Sequence, residues 1–308
     1  MDSRQSHSKP IQLVLDYDGT LTVKDTMAVL EGLANEQPSM TWGEIVRAYM
    51  HDYEEYKNTP FPWKDYGREE YSRWLASRKW VEERSAQRVQ DSRFLRGATK
   101  DKIRDTAKTA IQQGTVQLRD TWLRLFDWSL VGGATRSISI LSVNWSESLI
   151  REAILQSAQS LKNYPRRNDL CEYVQRMKIS ANEIQDLEAP GGSSGRVIRE
   201  NGRDIRTSDD KLLYLPGRRG GSDEGPFVIY AGDSSTDFDC LCAADLGVWL
   251  CDVPEAEYET AFKETFKPFA GRTPPPLASI SSIDEAQKDF LYWTPNLSLL
   301  ADLLERNG

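Results

Sequence analysis

The chain has 308 residues, 39% of them hydrophobic, and a formal net charge of −8. That length and apolar content suit one large or two smaller folded domains and argue against a disordered chain. Acidic residues outnumber basic ones, 47 to 39, which argues against a general nucleic-acid or membrane-surface binder, since both need a basic face. No apolar run reaches the ~18 residues of a membrane span, and the opening residues MDSRQSHSKP lack the apolar stretch of a secretory signal. Cys171, Cys240, Cys242 and Cys251 show no paired zinc spacing and read as reduced thiols, so a cytoplasmic location is expected. The two histidines, His7 and His51, are too few and too badly placed for Ser-His-Asp or His-metal chemistry.

Residues 1–9 read as a flexible arm. The apolar run Ile11–Leu15, followed at once by DYDGT, predicts a buried parallel strand ending in a polar turn. From Thr22 to Ala134 the pattern turns helical, with helices expected over Trp42–Tyr56, Tyr66–Gln90 and Ala110–Leu130. Six of the nine tryptophans, Trp42, Trp63, Trp74, Trp80, Trp122 and Trp128, fall here and are expected to pack this helical region together. Strand character returns at Ser137–Leu141, followed by a helix through Ile150, Ile154 and Leu161 that Ser146 or Ser148 can cap. Further strands are expected at Met177–Ser180, Phe227–Ala231 and Leu246–Leu250. Asn-Gly within Arg196–Ile205 signals a hairpin. Thr273–Leu277 is a Pro-rich connector, and a terminal helix covers Leu297–Leu304. Strands alternating with helices around a helical insert predict an α/β open sheet.

Ligands of an open parallel sheet sit at the carboxyl ends of its strands. Asp16 and Asp18 follow the first strand, and Asp233 and Asp237 follow Phe227–Ala231. Either cluster alone suits a turn or a helix cap. Four converging carboxylates need a cation, and an all-oxygen donor set favours Mg²⁺ bridging to a substrate phosphate.

DYDGTLT resembles the first motif of the haloacid dehalogenase-like superfamily, DxDGTLT, and GDSSTDFDCL followed by AADLG is similar to its fourth. Ser142, after the strand SISIL, matches the second motif. Lys162, Lys178 and Lys211 are candidates for the third, with Lys211 in TSDDKLLYL the best fit. The insert's position and helical character resemble the phosphoserine phosphatase-like branch. The resemblance implies a Rossmann-like open parallel sheet core at 10–21 and 136–308, with a large helical cap domain, 22–135, inserted after the first strand.

It also implies roles. Asp16 is the nucleophile that forms an aspartyl-phosphate, and Asp18 protonates the leaving alcohol and then activates water. Mg²⁺ is held by Asp16, the backbone carbonyl of Asp18 and Asp233, with Asp237 a ligand or just behind. Ser142 and Lys211 bind the transferring phosphoryl group. Gly19 and Thr20 shape the turn, with the Gly19 N–H available to phosphate, and Val143 and Asn144 border the substrate. The expected function is Mg²⁺-dependent hydrolysis of a small phosphorylated metabolite, with no nucleic-acid or membrane partner. Two alternatives remain at this point: a phosphotransferase or a lyase or cyclase acting on a diphosphate such as a prenyl diphosphate, and a non-catalytic binding protein on the same fold.

Overall fold

The computed structural model describes residues 9–59, 67–199, 202–217, 225–266, 273–287 and 291–307. Its strands are β1 (Ile11–Leu15), β2 (Arg136–Leu141), β3 (Lys178–Ser180), β4 (Glu183–Ile184), β5 (Val197–Ile198), β6 (Phe227–Gly232), β7 (Leu246–Leu250) and β8 (Leu291–Thr294). Six of them form one sheet in the order β3-β2-β1-β6-β7-β8, and every neighbouring pair is parallel. β1 sits centrally and is nearly all apolar, as a parallel strand covered on both faces must be. Strand alternation sends Leu13 and Leu15 into the core on one face and Val14 into the core on the other. The chain winds outward from β1 to β2 and β3, then returns to the other side of β1 for β6, β7 and β8. The order therefore reverses between β1 and β6, and the crevice at their carboxyl ends is where such a sheet binds ligands.

The helices are α1 (Trp42–Lys57), α2 (Arg68–Ala76), α3 (Lys79–Asp91), α4 (Lys100–Gln112), α5 (Trp122–Gly132), α6 (Glu147–Gln159), α7 (Arg167–Arg176), α8 (Ser208–Leu212), α9 (Phe238–Ala243), α10 (Tyr258–Phe266) and α11 (Leu297–Arg306). α1 begins with a capping box between Thr41 and Glu44, and Ser146 is the residue that caps α6. α4 packs on α6, and α5 packs on β2, α7 and α11, whereas α1 and α3 pack on each other and α2 meets α8. No helix among the described residues is long and apolar enough to cross a membrane.

Three expectations are corrected. The helix expected over Ala110–Leu130 is two helices. Gly114 adopts φ +71°, and Leu118 leaves the helical path to bridge Thr22 in an antiparallel pair. The span Tyr66–Gln90 is likewise split, with α2 and α3 meeting at Ser77 and Arg78; Tyr66 and Trp63 lie outside the described residues. The hairpin expected within Arg196–Ile205 does not form its second arm. Val197–Ile198 pairs with Glu183–Ile184 instead; Glu200 and Asn201, at the expected turn, lie outside the described residues. The Pro-rich connector runs alongside β8, where Pro276 bridges Trp293.

Candidate active site

The register places the site. Leu15 pairs with Ile140 on one side and Ala231 on the other, so the residues just past β1, β2 and β6 converge at one crevice. Asp16 follows β1 directly, and its N–H donates to the Ala231 carbonyl at 2.9 Å. Ser142 follows β2 and is completely buried. Asp233 follows β6.

Lys211 is the hub. α8 delivers its ammonium into the interior with no solvent exposure, 2.9 Å from Asp16 Oδ1 and 2.6 Å from Asp237 Oδ1. Burial works against this charge, but the two carboxylates more than offset it and raise the lysine pKa above its ordinary value. Asp237 Oδ1 also accepts from the Tyr230 hydroxyl at 2.6 Å, and its Oδ2 accepts from the Asp233 and Ser234 N–H groups. Asp237 is thus saturated by protein donors and anchors Lys211 from behind. Lys162 and Lys178, the other third-motif candidates, take no part in this network among the described residues.

Asp16 and Asp18, two residues apart, stand in different surroundings. Asp16 faces Lys211 and the acidic cluster. Burial pushes its pKa well up, Asp237 and Asp233 push in the same direction, and Lys211 opposes them. The Asp18 carboxylate turns away. Its Oδ1 accepts from the Thr26 N–H at 2.8 Å and the Thr26 hydroxyl at 2.6 Å, and its Oδ2 accepts from Asn144 Nδ2 at 2.7 Å. Burial raises the Asp18 pKa, Asp25 adds to the effect, and the three donors lower it without cancelling it. Asp18 side-chain oxygens therefore lie outside the metal-capable cluster, and only its backbone carbonyl remains for the ligand role expected of it.

The turn between the two carboxylates is held from all sides. Gly19 has φ +75°, and a Cβ there would lie 2.4 Å from Asp233 Oδ2. Its N–H donates to Thr22 Oγ1 at 3.2 Å, so this donor, expected to face phosphate, serves the turn instead. Its carbonyl accepts from Arg119, whose guanidinium also pairs with Asp252. Thr20 is buried and donates to Asp233 Oδ1 at 2.8 Å, so it positions that carboxylate. Ser142 Oγ accepts from the Asn144 N–H at 3.1 Å. Ser142 and Val143 line the cavity above the carboxylates, while Asn144 points at Asp18.

A solved structure of cytosolic 5′-nucleotidase IIIB bound to cytidine superposes over 96% of this chain and 85% of its own, with TM-score 0.52 and 14% identity. The chain has the haloacid dehalogenase-like fold. A substrate-bound phosphoserine phosphatase aligns over 81% of this chain and 89% of its own, at TM-score 0.41 and 14% identity. In sequence, a CTO1 family protein of Schizosaccharomyces pombe is 24% identical over 245 residues, covering 77% of this chain and 80% of its own. No protein-family model matches the sequence.

In this fold the acidic crevice fits a divalent cation by its own chemistry. Asp16, Asp233 and Asp237 bring carboxylate oxygens within 4.8 Å of one another. Burial and mutual repulsion push Asp16 up, and push Asp233 up to about 7. A dication relieves that repulsion, and hard oxygen donors suit Mg²⁺. Sequence reasoning missed Thr26, Tyr230 and Arg119. None belongs to a motif, and each is brought to the site by tertiary packing alone.

Proposed function

We propose that the protein is a Mg²⁺-dependent phosphatase that hydrolyses a small phosphomonoester through an aspartyl-phosphate. The observation that carries this reading is the division of labour between neighbouring carboxylates: Asp16 against Lys211 in the acidic cluster, and Asp18 set apart on Thr26 and Asn144. Paired carboxylates in unlike surroundings are how one site runs nucleophilic and acid–base chemistry together.

Asp16 and Asp233 would hold the metal, with Asp237 behind them and the Asp18 carbonyl available as a further donor. When bound, Mg²⁺ supplies charge compensation for the transferring phosphoryl group. Asp16 attacks phosphorus, and the bond to the leaving oxygen breaks as Asp18 gives that oxygen its proton. The raised Asp18 pKa favours the protonated form this step needs. Asp18, now a carboxylate, takes a proton from the water that attacks the phosphoryl group. Asp16 is released with inorganic phosphate, and Asp18 is again protonated. Lys211 keeps Asp16 oriented and screens the charge that builds on the phosphoryl oxygens. α1 to α3 act as a cap over the crevice, excluding bulk water.

Phosphate release from phenyl phosphate, with Mg²⁺, with EDTA and with Asp16→Asn, tests the reading. Release should need both the metal and Asp16. Release that persists in EDTA or in the variant would remove it.

A further inference from the structure

The cavity above the carboxylates, about 450 Å³, extends to a second polar group on α1 and α3. That volume suits a small organic ligand. Its far wall carries Tyr49 of α1, Glu82 of α3, and Arg78 at the α3 N-terminus. Arg78 is only 9% exposed. Its Nε lies 3.4 Å from Glu82 Oε1, and Tyr49 donates its hydroxyl to the same oxygen at 3.0 Å. The Arg78 Nε has no hydrogen-bond partner among the described residues. A guanidinium carries five donors, and a buried donor that meets no acceptor is costly. Nε faces Glu82, and the terminal N–H groups of this largely buried guanidinium make no hydrogen bond among the described residues, which leaves them at the cavity wall for an acceptor that enters with a ligand.

Apart from Ser85, the rest of that wall on α1 and α3 is apolar. Val46 and Met50, one and two turns along α1 from Trp42, line the cavity and are 39% and 45% exposed. Aromatic and thioether side chains of this kind cover flat rings well. Charge narrows the choice further. Glu82 already balances Arg78, so a second anion on the ligand would meet a carboxylate beside its partner. A hydrocarbon chain would cover the terminal N–H groups of the guanidinium without offering them an acceptor. A neutral acceptor on a flat body satisfies both conditions.

We propose that Arg78 and Glu82, across one cavity from Asp16, select a phosphomonoester whose alcohol part carries a flat, uncharged ring with a carbonyl or ring-nitrogen acceptor for the guanidinium. The reaction in this assignment rests on the phosphatase reading; the binding preference does not.

The test compares a nucleoside 5′-monophosphate, phosphoserine, a prenyl monophosphate and phenyl phosphate in the wild type, Arg78→Leu and Arg78→Lys. Steady-state kinetics are measured with Mg²⁺, and calorimetric binding of the nucleotide is measured in EDTA. Thermal melting checks that each variant is folded, and Arg78→Lys keeps the charge facing Glu82 should Arg78→Leu fail to fold. The nucleotide should show the lowest KM of the panel. Both variants should raise its KM and its Kd by about tenfold or more, with kcat nearly constant and the phenyl phosphate KM unmoved. A preference for phosphoserine or the prenyl ester, or an equal loss on phenyl phosphate, would overturn the assignment. So would a nucleotide Kd indifferent to Arg78. Nucleotide binding that depends on Arg78, with no turnover of any ester, would retire the phosphatase reading and leave the specificity assignment standing.

Discussion

The acid–base role proposed for Asp18 depends on the three donors that hold it apart from the acidic cluster. Asp18→Asn keeps much of the hydrogen bonding but removes the transferable proton. On an alkyl phosphate the variant should lose about 10²–10⁴-fold in kcat, the usual worth of general acid–base catalysis. On an aryl ester with an acidic leaving group it should lose much less, because that oxygen leaves without a proton. Parallel kinetics on the two esters check this, and equal losses would place Asp18 elsewhere in the mechanism. Asn144→Ala removes the 2.7 Å bond to Asp18 Oδ2. It should lower kcat by about tenfold or more through misplacement and stability by ~1.5–3 kcal/mol, read by urea denaturation. Asp16, Asp18, Asp233 and Asp237 were legible in the sequence because each follows an apolar strand run. Asn144 was legible as a site residue but not as the partner of Asp18. Thr26, Arg78 and Glu82 were not legible, since helix and turn residues gain meaning only when packing turns them toward the crevice.

At the scale of elements, the turn Tyr17–Leu21 is the most constrained piece of the chain. Gly19 combines a left-handed φ with an approach to Asp233 that no Cβ fits. Gly19→Ala should cost about 1–3 kcal/mol and shift Asp233, so both the denaturation midpoint and Mg²⁺ affinity should fall. A variant of wild-type stability and affinity would contradict the geometry. α8 shows a second form of constraint. Asp210, next to Lys211 in sequence and fully buried, pairs with Lys79 at 2.7 Å, tying the start of α3 to the element that delivers Lys211. The strands β1, β2, β3, β6 and β7 and the helices α1 and α11 were readable from periodicity. The break after α4 was not, because Leu118 keeps helical spacing while its backbone is drawn into pairing with Thr22. β8, an edge strand of four residues, is too short for periodicity to separate from loop.

For the whole molecule, the buried acidic crevice links folding, metal and pH. Asp233 is raised to about 7 in the fold, above its ordinary carboxylate value. Between those values the folded metal-free protein binds more protons than the unfolded chain, so this group's contribution to stability falls as pH rises through that window. Metal-free thermal melts should therefore show a loss toward pH 7 that Asp233→Asn lessens, with Asp16 and Asp18, raised in the same direction, supplying the remainder. Mg²⁺ competes with those protons and should bind more tightly as pH rises. Saturating Mg²⁺ at about 100 times its Kd should add ~2.7 kcal/mol, seen as a higher melting temperature than in EDTA. A melt indifferent to Mg²⁺ would deny the crevice its metal.

The central claim is that Asp16 carries the phosphoryl group. Acid-quenched enzyme turning over phenyl phosphate with Mg²⁺ should show, by intact-protein and peptide mass spectrometry, one phosphoryl adduct on the peptide holding Asp16 and none in Asp16→Asn. Phosphate release with no adduct at Asp16, undiminished in Asp16→Asn, would contradict the account.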